Sequence, residues 1–192
     1  TNSARIKSRA LRQGVWSALT EADFQVAEIG FPLRLTEIMY HPPAGDAFEF
    51  IELQNLGSVA LDLTGFSFTG FEFVFPHRTV LAPGQIAVLA SSLSPASFAA
   101  RYPGVPVTGY FNGSLANGGE RIELRDRDGR TVTAVTYSDS GAWPAAADGG
   151  GYSLEVIEAD GDPNDPANWL ASGPLQGSPG RYLPPPRVLP EP

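Results

Sequence analysis

Two carboxylates pose the first chemical question. Glu37 and Glu52 fall in stretches of alternating polar and apolar residues, Leu33 to Tyr40 and Phe48 to Gln54, that predict neighbouring strands. Asp46 and Glu49 stand close to Glu52, and His41 follows the first stretch. Two acids held side by side can work as general acid and general base, or with His41 they can hold a divalent cation. Either use requires Glu37 and Glu52 to face an open cleft. The sequence favours a plainer reading, in which acids on adjacent strands meet because of the pleat and are satisfied by each other, by Arg34 or by nearby backbone amides.

Nucleophile chemistry finds less support. The histidines are His41 and His77, each beside a proline in an expected turn, and the chain has no cysteine. No Gly-x-Ser-x-Gly elbow occurs, and Ser140 and Ser153 have no base near them in sequence. No catalytic residue is therefore assigned, and the chain is expected not to be an enzyme.

Asp160-Gly161-Asp162-Pro163-Asn164-Asp165 has the spacing that can gather oxygens around calcium, with Asp160, Asp162, Asn164 and Asp165 as candidate ligands. An EF-hand would need glycine sixth and glutamate twelfth, whereas Asp165 and Ala171 stand there. A turn capped by Asp165 with Pro166 at the first helical position is the preferred reading. Calcium is thus a weak expectation, and no other cofactor is expected. Phe66, Phe68, Phe71, Phe73 and Phe75 alternate like one packed face of a sheet. Trp143 and Trp169, read as loop residues, are the better platforms for a sugar ring and are the candidate ligand-binding residues.

The elements that position these groups are short and turn-bounded. Gly (21) and Pro (18) are plentiful among 192 residues, so many brief strands joined by turns are expected. Leu61 to Gly65, Phe66 to Phe68, Phe71 to Phe75 and Gln85 to Ala90 continue the series, with Leu81-Ala82-Pro83-Gly84 as a turn. Ser94-Pro95 predicts the start of a short helix with Phe98 and Tyr102 on one face. Val105 to Phe111 is extended again, and Asp128-Gly129 between two alternating segments predicts a hairpin. A long loop over Ser138 to Gly151 precedes Tyr152 to Ile157, read as the last core strand, and Asp165 to Trp169 predicts a helical turn. Strands spaced in this way predict an all-β sandwich with one or two short helices.

Composition limits the partners. Net charge is −8, Lys7 is the only lysine, and the cationic cluster Arg5, Lys7, Arg9 and Arg12 is confined to the start of the chain. Nucleic acid, which needs a basic stripe, is excluded as an expected partner. No apolar run approaches the roughly 20 residues of a membrane span, so insertion is not expected. The chain begins at Thr1 with no visible signal peptide, and any export signal is expected to lie upstream.

Several motifs in order resemble the bacterial lamin tail domain. They are L-T-E-I-M-Y (Leu35 to Tyr40), F-E-F-I-E-L-Q-N (Phe48 to Asn55), L-D-L-T-G-F (Leu61 to Phe66) and F-P-H-R-T-V-L-A-P-G-Q (Phe75 to Gln85). G-E-R-I-E-L-R-D (Gly119 to Asp126), Trp143-Pro144 and N-D-P-A-N-W (Asn164 to Trp169) complete the series. Residues 31–172 are accordingly expected to form a lamin-tail-like, immunoglobulin-like β-sandwich. Arg9, Ala10, Gly14, Trp16 and Ser17 are similar to the corner of a fibronectin-III or chitobiase C-terminal sandwich, so residues 1–30 are read as the terminal hairpin left from a preceding domain. Residues 173–192 read as a Pro/Gly-rich linker.

The resemblance implies a non-catalytic interaction or spacer module of a larger exported multidomain bacterial protein, extracellular or at the cell surface. Its implied partners are other domains of the parent protein, an extracellular protein or a polysaccharide. The alternative is a carbohydrate-binding accessory module, possibly calcium-assisted.

Overall fold

The computed structural model describes residues 4–24 and 30–182, and the chain divides into two compact units, 1–30 and 31–192. In the first unit β1 (Ala4–Ser8) pairs antiparallel with β4 (Thr20–Phe24), and β2 (Leu11–Arg12) pairs with β3 (Val15–Trp16). Gln13 and Gly14, at φ 48° and 77°, make the two-residue reversal whose twist suits a hairpin. Ser17 closes it, donating its backbone N–H to Ala10 O and accepting from Ala10 N at Oγ. Gln25 and Val26, expected to continue the return strand, lie outside the described residues.

The second unit is a sandwich. One sheet has six strands in the order β12 (Val107–Phe111), β11 (Ile86–Ser91), β6 (Phe50–Asn55), β5 (Leu33–Met39), β15 (Leu154–Val156) and β16 (Trp169–Ala171). The other has four, β14 (Thr131–Thr136), β13 (Arg121–Arg125), β8 (Ser67–Thr69) and β9 (Phe73–Val74). β7 (Leu61–Asp62) and β10 (Val80–Leu81), which flank β8 and β9 in sequence, form a separate pair. Period-two alternation sends Leu33, Leu35, Ile51, Leu53 and Leu89 from the larger sheet against Phe68, Ile122, Leu124 and Val135 from the smaller, forming one dry interior. Each such side chain, fully buried, stabilises the fold by about 1.5–3 kcal/mol.

Among the described residues β12 runs parallel to β11 while every other pairing is antiparallel. Parallel neighbours need a crossover, and α1 (Pro95–Arg101) supplies it. Ser94 caps α1 by accepting from Ser97 N, as its sequence predicts. Phe98 and Tyr102 then pack on Met39, Phe50, Val88 and Ala90, covering part of the large sheet's outer face. The Asp128-Gly129 hairpin also forms, joining β13 to β14, with Asp126 Oδ1 accepting from Asp128 N and Arg130 N.

Two expectations need correction. The last strand is β16 rather than the stretch at Tyr152 to Ile157, because the turn over Pro166–Asn168, capped by Asp165, reverses the chain onto β15. Residues 174–182, read as the start of a linker, instead lie on the sandwich: Gln176 N donates to Gly151 O, Pro179 is buried and Tyr182 packs on the core. Residues 183–192 lie outside the described residues.

Candidate functional site

A bulge decides where the acids point. Strict alternation along β5 would put Leu33, Leu35 and Glu37 on one face, burying a carboxylate in the dry interior. The register with β6 instead slips between Leu35↔Leu53 and Glu37↔Glu52, leaving Thr36 as the extra residue. Glu37 thereby turns to the outer face opposite Glu52, while Ile38 and Tyr40 return to the core. On the other side of β5, Glu155 of β15 pairs with Glu37. Three glutamates, Glu52, Glu37 and Glu155, therefore run side by side across three adjacent strands.

Glu37 and Glu52 do not open to solvent, whereas Glu155 is half-buried. Glu37 is 2% exposed and Glu52 0%. Glu37 Oε1 accepts from Ser153 Oγ at 2.5 Å and from Ser178 N at 2.8 Å, and its Oε2 accepts from Ser178 Oγ at 3.2 Å. Ser178 Oγ also lies 2.7 Å from Glu155 Oε1. Glu52 Oε1 accepts from Gly180 N at 2.7 Å. Burial pushes the Glu37 carboxyl up to about 7 against these hydrogen bonds. Burial, followed by the charge of Glu37, raises Glu52 well above the usual carboxylate range. Glu52 Oε2 has no donor facing it.

The remaining acids separate. Glu49, opposite in alternation to Phe50, faces inward; its Oε2 accepts from Leu115 N at 3.0 Å, and burial raises it to about 8. Asp46 sits in the 3-10 turn Asp46–Phe48. His41 Nδ1 lies 2.6 Å from Asp148 Oδ1, and Arg34 donates to Phe31 O, Leu33 O and Asp160 Oδ1 rather than to the glutamates. Ser153 does meet a carboxylate in the fold, but it is 0% exposed. The Ser138 and Ser140 hydroxyls pair with each other at 3.0 Å.

The other candidates are occupied locally. Asp162 Oδ1 accepts from Asn164 N, Asn164 Oδ1 from Thr136 N and Asp165 Oδ1 from Ala167 N, while Asp160 faces Arg34. Among the described residues no group of three or more His, Cys, Asp or Glu side chains is arranged to hold a metal ion. Trp169 opens β16 and is 3% exposed, its Nε1–H donating to Pro163 O at 2.9 Å. Trp143 is half-buried against the core, its ring 6.0 Å from that of Trp169. The two tryptophan rings thus meet, and Trp169 lies in a strand rather than in the loop expected for it.

Sequence reasoning missed the segment over the glutamates. Its signal was Gln176-Gly177-Ser178-Pro179-Gly180, whose glycines permit close approach. Gly177 has φ 81°, and a Cβ there would stand 2.6 Å from Glu37 Oε1 and 2.9 Å from the Phe50 ring. Tyr102, whose hydroxyl donates to Gln176 O at 2.8 Å, holds the segment's other end.

Comparison with known proteins completes the picture. A comparison with curated proteins gives no match. The model of the lamin tail domain matches residues 31–139, the stretch that contains the bulged β5, the β6 row and the whole four-stranded sheet. A family of immunoglobulin-like, non-catalytic modules fits a sandwich whose acids are closed off by its own chain. This chain belongs to the lamin tail domain family and carries an immunoglobulin-like interaction or structural module.

Proposed function

We propose that this lamin tail domain is a non-catalytic interaction and spacing module of a larger exported multidomain bacterial protein, extracellular or at the cell surface. One observation carries the non-catalytic part: the carboxylate pair with acid–base potential is 2% and 0% exposed and is satisfied by Ser153, Ser178 and Gly180 of the same chain. A substrate has no path to it. The test is turnover by the purified chain on glycoside, ester and phosphodiester substrates, with and without divalent cations. No turnover is expected, and turnover abolished by Glu37→Gln would overturn the reading.

The surface offers contacts of another kind. Val74 of β9 is 61% exposed, Val80 of β10 56% and Val59 62%, and aliphatic side chains at strand edges favour a protein neighbour. Other domains of the parent protein, an extracellular protein or a polysaccharide are the proposed partners. A net charge of −8 gives no basic stripe for nucleic acid. Among the described residues no helix is long and apolar enough to cross a membrane. The residue 1–30 hairpin exposes Leu11 (54%) and Trp16 (51%), which supports its reading as the end of another β-sandwich, since a lone hairpin is marginal in water. Fractionation of the producing cell tests export: recovery wholly in the cytoplasm would remove that part. The carbohydrate-binding alternative, with or without calcium, would rest on the half-buried Trp143, since Trp169 is buried.

A further inference from the structure

The large sheet's outer face is covered by two different things. α1 covers the apolar part, at Met39, Phe50, Val88 and Ala90. Residues 174–182 cover the polar part, and their grip is made of hydrogen bonds to acids: Ser178 N to Glu37, Ser178 Oγ to Glu37 and Glu155, Gly180 N to Glu52. We propose that the trough over Glu52, Glu37 and Glu155 is a proton-controlled docking site for an extended, glycine-bearing segment. In this chain it is filled by residues 174–182, which leave the sheet when the proton shared by Glu37 and Glu52 is lost.

The geometry requires such a proton. Glu37 and Glu52 are directly opposed across β5 and β6, and both are almost wholly buried. Two carboxylates so placed cannot both be charged without strong repulsion in a poorly solvated site. With one proton between them, Glu52 Oε2, otherwise without a partner, donates to Glu37. Each acid then still has an oxygen free to accept a segment N–H. When the proton passes to solvent, both acids are anionic with Glu155 beside them, and water must enter to solvate them. The segment lies between the acids and that water.

Among the described residues no cation acts on Glu37 or Glu52. From β15 the facing groups are Glu155 and the Ser153 hydroxyl. From β11, Val88 stands opposite Glu52, and from β16, Leu170 stands opposite Glu155. From α1 come Tyr102, bonded to Gln176 O, and Arg101 beside that phenol. Arg34, on β5, is turned to Phe31 O, Leu33 O and Asp160. The segment's own cation, Arg181, is exposed. The direction of the buried acids agrees, since burial lifts Glu37 to about 7 and Glu52 upward.

The test follows backbone amides of the full chain by NMR between pH 5 and pH 9. Ser178 and Gly180 are expected to leave their hydrogen-bonded positions together in one transition as pH rises. Their protection against exchange should drop at least tenfold beyond the intrinsic pH effect, while Ile51 and Leu89 keep theirs. Glu52→Gln keeps an acceptor for Gly180 and a donor for Glu37 without a titrating proton, so its Ser178 and Gly180 amides should stay in place throughout. Should that variant not fold, Glu155→Gln serves instead and should move the transition to lower pH, because the Glu155 charge helps to hold the proton on its neighbours. The proposal is overturned if the wild-type amides do not move, if Ile51 and Leu89 lose protection with them, or if the variant that folds titrates as the wild type does.

Discussion

The two faces of the six-stranded sheet solve opposite problems with the same strands. Along β6, Ile51 and Leu53 enter a dry interior shared with the smaller sheet, while Phe50 and Glu52 face the outside. The inner face is held by hydrocarbon and tolerates no unpaired charge. The outer face carries three glutamates, and it is closed by a helix and by a segment whose amides and hydroxyl satisfy them. The inner face is therefore indifferent to protons wherever it is apolar, whereas the outer face depends on them. Stability arguments for this domain differ according to which face is touched.

Ile51→Asp should break the comparison most severely. It puts a carboxylate into the dry interior, so a loss above about 4 kcal/mol or failure to fold is expected in denaturant melts. Trp169→Ala, on the inner side, should cost about 3–5 kcal/mol, because it empties a buried site and orphans Pro163 O.

The pH dependence separates the faces next. Glu37 at about 7 and Glu49 at about 8 hold protons that an unfolded carboxyl, near 4.5, has released. Their stabilisation is complete below about pH 4.5 and is lost as pH rises through the folded values. Unfolding free energy should fall between pH 4.5 and 8 by about 1.4 kcal/mol per pH unit for each proton concerned. Glu52→Gln should flatten the outer-face part of that slope and Glu49→Gln the inner-edge part; a slope unchanged in both would refute the assignment.

Gly177→Ala should cost about 1–3 kcal/mol, since φ 81° and the Glu37 oxygen both reject a methyl group. Smallest, Ser94→Ala removes the α1 cap and should cost about 1 kcal/mol in thermal melts, without altering the pH slope.

Much of this was legible in the sequence, for physical reasons. Alternation and turn chemistry are local, so the strands around Glu37 and Glu52, the Asp128-Gly129 hairpin, the Ser94 cap and the Asp165 turn could be placed from residue types alone. The parallel pairing of β12 could not, since a strand's own residues do not name its neighbour. Trp169 looked like a loop residue because β16 is three residues long and gains its identity only by pairing with β15. The segment 174–182 read as linker because glycine and proline mark both a free tether and a chain pressed close to a surface.

The sequence by itself determined the class of fold, the family and the acids at issue, because period, turn residues and motif order are written along the chain. Only the tertiary structure decided which face those acids occupy and what covers them. A single extra residue at Thr36 inverts the alternation, and the donors that satisfy Glu37 and Glu52 come from more than a hundred residues away. Such long-range pairing follows from packing and not from neighbouring residue types.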